Sequence, residues 1–240
     1  VADVARGTTA LVWGVAATLA FAALRAVVAI GGHEPLPIDH SWNELMGALT
    51  SDVWLVVAWV PAIVGGTVGM IVIGALLIVW LLWRRRRWDA ATLAIAMVAV
   101  VAIGATMAAV IGRTRPEDSL AESVATSFPS GHTAVATTVV VILGLIFRRW
   151  YVWMLGTVWA LMMMWSRTYL HAHWLSDVVA GMLEGVAVAT VVWACVSLWR
   201  SRRAARARAE QSVQTRDDAL REDPLRADPS REEPIERSAP

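Results

Sequence analysis

Lysine is absent from this chain, so all 21 basic residues are arginine. Every cationic contact must be made by a planar, permanently charged guanidinium, whose fork matches phosphate and carboxylate oxygens. Cysteine is nearly absent too. A single residue, Cys195, excludes an intrachain disulfide and a multi-cysteine metal site. Its place within an apolar run is that of a small buried side chain. Charged residues are scarce at 17%, against 57% hydrophobic, and the mean hydropathy is +0.55. That balance excludes an ordinary soluble domain. The net charge of +1 excludes little; where the charges sit is more informative.

Apolar runs of about 18 residues or more mark membrane-spanning helices. Six occur, at residues 8–30, 53–83, 89–112, 131–147, 150–167 and 174–199. The expected fold is all-α, a bundle of six transmembrane helices forming one domain over residues 1–199. The run at 53–83 is long, and Pro61 or the Gly65-Gly66 pair is where it would kink or split. The first run is long, is interrupted by Arg25 and has no basic cluster before it, so a retained helix is expected rather than a cleaved leader. From Arg200 the composition changes. Ser201–Ala209 is basic and alanine-rich and suits an extension of the last helix along an anionic lipid surface. Beyond Gln211 the charges mix, and Arg221, Arg226, Arg231 and Arg237 each open an Arg-x-x-Pro unit. Residues 200–240 are therefore expected to be a disordered tail without a core.

Arginine placement predicts the topology. Arg84–Arg87, Arg148-Arg149 and the run from Arg200 to Arg208 follow the second, fourth and sixth spans, connections that share one side of a membrane. Basic loops stay cytoplasmic, so both termini are expected inside. Residues 31–52 carry Glu34, Asp39, Glu44 and Asp52 with no arginine, as an outer loop would. Trp80, Trp83, Trp88, Trp150, Trp153 and Trp199 flank the arginine clusters like an interfacial aromatic belt.

This topology gathers three polar groups at the outer face: Arg113-Thr114-Arg115-Pro116, then Pro129-Ser130-Gly131-His132, then Ser166-Arg167 through His173 to Asp177. Ionisable groups at membrane depth mark function by default. Arg115 and Arg167 together, beside serines and histidines, suit an anion. Pro129-Ser130-Gly131 reads as a helix start, where Ser130 can cap and Gly131 lets an oxyanion approach free N–H groups. His132 lies in the first turn of that helix. His173 and Asp177, four apart, share a helical face, and a carboxylate on one ring nitrogen would leave the other as nucleophile or base. His171 is expected to be a loop residue, and His33 and His40 solvated surface. Glu184, seven residues after Asp177, is a buried carboxylate that suits pairing with Arg25, with Gly181 and Gly185 allowing close helix contact. A metal held by His132, His171, His173 and Asp177 would be repelled by the arginines, so no metal is expected.

These motifs resemble those of the type 2 phosphatidic acid phosphatases, or lipid phosphate phosphatases. That family carries K-x6-R-P, then P-S-G-H, then S-R-x5-H-x3-D, over a region corresponding to residues 8–199. The second and third motifs stand complete here. The first keeps Arg115-Pro116 but has Ala108 at the lysine position; Arg113 is the nearby cation that would compensate, and Arg25, near the outer end of the first span, is the more remote substitute. The resemblance implies that His173 attacks phosphorus to form a phosphohistidine. Asp177 would orient it, and His132 would protonate the leaving oxygen and then activate water. Arg115, Arg167, Ser130, the Gly131 N–H and Arg113 would hold the phosphoryl oxygens. It further implies a cofactor-independent enzyme of a bacterial-type plasma membrane. The partners would be membrane lipids and a lipid phosphate of polyprenyl pyrophosphate, phosphatidate or phosphatidylglycerophosphate type, with no nucleic acid; oligomeric state stays open. The alternatives are a lipid-linked phosphotransferase and a non-catalytic lipid-binding or transport protein.

Overall fold

The computed structural model describes residues 2–121 and 126–222. The chain divides into two units, Val1–Ser197 and Leu198–Pro240. Every regular element among the described residues is an α-helix: α1 (Ala2–Ile30), α2 (Pro37–Ala48), α3 (Asp52–Val64), α4 (Thr67–Trp83), α5 (Arg87–Ile111), α6 (Gly131–Phe147), α7 (Trp150–Tyr169) and α8 (Leu175–Glu222).

Each of the six apolar runs forms helix. Gly7–Ile30, Arg87–Ile111 and Leu175–Asp218 are long and apolar enough to cross a membrane. The α3–α4 pair, bent by 51°, makes a fourth if it counts as one span, and α6 is a shorter apolar helix. Large apolar side chains stand exposed along these helices, among them Leu19, Val56, Val68, Leu76, Val98 and Leu155. An apolar exterior of that extent needs lipid around it, and the protein is an integral membrane protein.

The long second run breaks at its glycines, not at its proline. Pro61 stays inside α3, which closes at Gly65. A Cβ on Gly65 would stand 2.0 Å from Met163 Cε, and one on Gly66 would meet the Ala62 carbonyl oxygen at 2.8 Å. Only glycines fit this corner.

Helix α6 is the central element. It buries ten residues, from Thr133 to Ile146, and contacts α4, α5 and α7. Its far end meets the arginine corners: Arg86 donates from Nη2 to the Ile146 carbonyl at 3.3 Å, lies 5.0 Å from the Phe147 ring, and pairs with Asp89 at 2.6 Å. The α4–α5 and α6–α7 connections thus share one end of the bundle.

Two expectations are corrected. The helix extension suited to Ser201–Ala209 forms, but residues 210–222, expected to be disordered, are helical as well, because α8 continues to Glu222; arginine and alanine are strong helix formers, and no glycine or proline interrupts them before Pro224. Residues 223–240, with three of the four Arg-x-x-Pro units, lie outside the described residues. Cys195 is exposed rather than buried.

Candidate active site

The site assembles at the end of α6 opposite the arginine corners. Helix α5 stops at Gly112, which takes the left-handed conformation (φ 59°) common just past a helix end. The chain then folds back on itself: Ser127 N donates to the Arg113 carbonyl at 2.8 Å, and Ser127 Oγ to the Thr114 carbonyl at 3.1 Å. Ser130 N donates to the Asp177 carbonyl at 3.1 Å, tying the start of α6 to the start of α8. Gly181 and Gly185 do permit close packing of these helices. A Cβ on Gly181 would lie 2.5 Å from the Ser130 carbonyl oxygen, and one on Gly185 would lie 2.6 Å from that of Ala134.

After α7 a tight turn brings His173 back beneath Arg167. The Arg167 carbonyl accepts from Ala172 N at 3.0 Å and from His173 N at 3.2 Å. His173 is 3% exposed. Its Nδ1 lies 2.7 Å from the Ser127 carbonyl. A carbonyl only accepts, so Nδ1 carries the proton and Nε2 keeps its lone pair. The group that sets the tautomer is thus a backbone carbonyl rather than Asp177, whose Oδ2 lies 3.8 Å from Nδ1 as an electrostatic neighbour. Burial lowers the His173 pKa below the ordinary imidazole value; Asp177 opposes this, and Arg115 and Arg167 add to the lowering. A neutral ring at neutral pH follows.

Asp177 has two further tasks. Its Oδ2 accepts from Trp174 N at 3.0 Å, the acidic half of a capping box at the start of α8. Its Oδ1 accepts from Arg113 Nη1 at 2.6 Å.

Arg115 reaches His173 directly, with Nη1 3.2 Å from Nε2 and a further bond to the Ala172 carbonyl. Arg167 is buried at the end of α7. Arg167, His173 and Arg115 all act electrostatically on His132. His132 Nε2 is 3.8 Å from where a Cβ on Gly66 would stand, at the α3–α4 corner. Nothing lies within 4 Å of a Cβ built on Gly131, leaving the α6 N-terminus open to an oxyanion. Ser130 is fully buried, and its hydroxyl pairs with Thr133 Oγ1 at 3.1 Å instead of capping the helix backbone. Ser166 donates to the Ala58 carbonyl at 2.6 Å, bracing α7 on α3.

Arg113 is not part of the cradle. Its guanidinium is fully buried: Nη1 donates to Ser176 Oγ (2.7 Å) and Asp177, and Nη2 to Asp39 Oδ2 (2.7 Å) and the Glu34 carbonyl (3.2 Å). All four Nη hydrogens are thus committed to this network, which leaves only the buried Nε–H without a partner. Asp39, expected in a solvated loop, is the residue that the sequence reading missed. It is fully buried at the start of α2, where its Oδ2 also accepts from Leu36 N at 2.9 Å. The signal was present: Pro37 opens the helix and Asp39 sits in its first turn. His171 is in the loop as expected but is buried, with Nδ1 2.7 Å from Asn43 Oδ1 and 3.0 Å from Asp118 Oδ2. His40 is exposed and packs edge-on to Trp174, whereas His33 is half-buried. No Arg25–Glu184 pair forms: neither Glu184 carboxyl oxygen has a hydrogen-bond partner. No group of three or more His, Cys, Asp or Glu is placed to hold a metal among the described residues.

The chain is similar to known proteins over the region that carries this site. The model of the PAP2 superfamily matches residues 89–201. An undecaprenyl-diphosphatase of Sulfolobus acidocaldarius is 35% identical over 112 residues, 44% of this chain and 54% of the relative. The match thus spans about half of that relative's length. Among solved structures, a transmembrane PAP2-type phosphatidylglycerolphosphate phosphatase from Bacillus subtilis superposes with a TM-score of 0.66 at 21% identity, over 75% of this chain and 93% of that one. Aquifex aeolicus LpxE does so with a TM-score of 0.59 at 20% identity, over 66% and 96%.

Proposed function

The chain belongs to the PAP2 superfamily, and on that premise we propose that it is a lipid phosphatase. It hydrolyses a phosphomonoester or pyrophosphate of a lipid at the outer face of a plasma membrane, through a phosphohistidine on His173. The carrying observation is the state of that ring: Nδ1 bound to the Ser127 carbonyl at 2.7 Å, Nε2 directed at Arg115 at 3.2 Å.

In the first step Nε2 attacks phosphorus, the bond from phosphorus to the leaving oxygen breaks, and His132 gives that oxygen a proton. Arg115, Arg167 and the Gly131 N–H take up the charge that grows on the phosphoryl oxygens, interactions stronger in the transition state than before it. His132, now deprotonated, draws a proton from water as the water attacks the phosphohistidine. A site at the mouth of the bundle suits a substrate whose head is phosphate and whose tail stays in lipid. In this reading α1, the α3–α4 pair, α5, α6, α7 and the start of α8 are six spans, with the arginine corners and both termini cytoplasmic.

The test is a phosphate-release screen of purified protein on polyprenyl pyrophosphate, phosphatidate and phosphatidylglycerophosphate. Wild-type protein should release phosphate from at least one, and His173→Ala should lose about 10⁴-fold or more while staying folded. Undiminished release by the variant would remove His173 as nucleophile.

A further inference from the structure

Asp39 lies outside the stretch matched by the family model, yet it closes the polar network behind the proposed nucleophile. We propose that Asp39 is a positioning residue for His173: it holds Arg113 and Ser176, and through them fixes the Asp177 carboxylate behind the imidazole with one net negative charge. This rests on the reading of His173 as the nucleophile.

The geometry leaves little freedom. Ser176 meets Asp39 twice, N to Oδ1 at 2.7 Å and Oγ to Oδ2 at 2.7 Å. Arg113 bridges Asp39 Oδ2 at 2.7 Å and Asp177 Oδ1 at 2.6 Å, and all three ionic side chains are 0% exposed. Asp177 is thus gripped on Oδ1 by Arg113, and Arg113 is gripped from behind by Asp39. Charge follows the same line. Arg113 and Asp177 alone would be net neutral, leaving a dipole rather than a net charge behind His173. Asp39 restores a balance of one negative charge.

That balance matters in the step. When Nε2 bonds phosphorus while Nδ1 keeps its proton, the ring becomes cationic, and a negative charge behind it stabilises the product of attack. The other charged or titratable groups facing His173 are Arg115 from the 112–130 segment, Arg167 from α7 and His132 from α6; the test leaves them unchanged. Asp39 touches no part of the phosphoryl site, so its influence falls on kcat rather than KM.

The experiment follows the His173 imidazole by NMR titration of the full chain in detergent, labelled in histidine and assigned with His173→Gln, beside kcat and KM for phosphate release. Asp39→Asn removes the net charge, so the His173 midpoint falls and the acid limb of kcat/KM moves to lower pH. In the same variant kcat drops about 10- to 100-fold, as when the group behind a reactive one is lost, with KM little changed. Asp39→Asn combined with Arg113→Gln returns the balance to one negative charge and moves the midpoint back toward wild type, which a purely structural role would not do. A wild-type midpoint in Asp39→Asn, or a double variant shifted further than the single one, overturns the proposal. Should Asp39→Asn fail to fold, Arg113→Gln alone tests the same field with the opposite sign: the midpoint rises, and an unmoved midpoint is equally fatal. Absence of phosphate release by wild-type protein would defeat the phosphatase reading, while the titration would still decide the role of Asp39.

Discussion

Glu184 and Asp39 are both buried carboxylates, at 2% and 0% exposure, but only one is satisfied. Asp39 accepts from Leu36, Ser176 and Arg113, whereas both Glu184 oxygens lack a partner and face Gly104, where a Cβ would stand 3.5 Å from Oε1. An unpaired polar group away from water costs about 1–3 kcal/mol, and removing one member of a buried ionic network costs roughly 3–5 kcal/mol. Glu184→Met, which keeps the volume and discards the polar atoms, should raise the thermal midpoint in detergent, and Asp39→Ala should lower it. A destabilised Glu184→Met protein would mean that the carboxyl acquires a partner in lipid. The contrast also shows what is legible in sequence. His132, His173 and Arg167 stand out because ionisable side chains border apolar runs. Arg113 and Arg115 are two residues apart with the same chemistry, and only the fold-back of the chain after Gly112 sends one to Asp177 and the other to His173. Asp39 finds its partners 74 and 137 residues away, a distance over which no local pattern speaks.

Helices were the most readable elements, because a long apolar run has few other ways to satisfy its backbone in lipid. The starts of α6 and α8 fall within a residue of where the motifs put them. The short α2 was missed because its 12 residues mix acids, a histidine and apolar side chains. What the run lengths cannot show is how closely elements approach, and here two glycines divide the tasks. Gly181 brings α8 against the start of α6, with 2.5 Å between its would-be Cβ and the Ser130 carbonyl oxygen. Gly181→Ala should push the helices apart and cost about 1–3 kcal/mol, with loss of activity as His132 and His173 separate. Gly131 has open space beside it. Gly131→Ala should therefore fold normally yet weaken substrate binding, since its methyl enters the room left for the phosphoryl group. Thermal melts beside KM measurements separate the two; equal stability losses would refute the assignment of one glycine to packing and the other to binding.

On the scale of the whole molecule the two ends of the bundle differ in kind. One end carries Arg84–Arg87 and Arg148-Arg149, joined through Arg86 and Ile146 at 3.3 Å, with Trp83 and Trp150 exposed beside them at 74% and 72%. The other end carries the histidines, Asp39 and the acidic α2. Helix α6, 17 residues from Gly131 to Phe147, separates them by roughly 25 Å at about 1.5 Å per residue, close to the apolar thickness of a bilayer. Guanidinium clusters resist transfer across a membrane far more than carboxylates direct it, so the arginine end should face the cytoplasm and the site the exterior. With Cys195 replaced by serine, a single cysteine at Ser41 on the exposed side of α2 should react with a membrane-impermeant thiol reagent in intact cells. A single cysteine at Trp150 should react only after the cells are opened. The reverse pattern would place the proposed chemistry at the inner leaflet, and with it the pool of lipid phosphates open to the site.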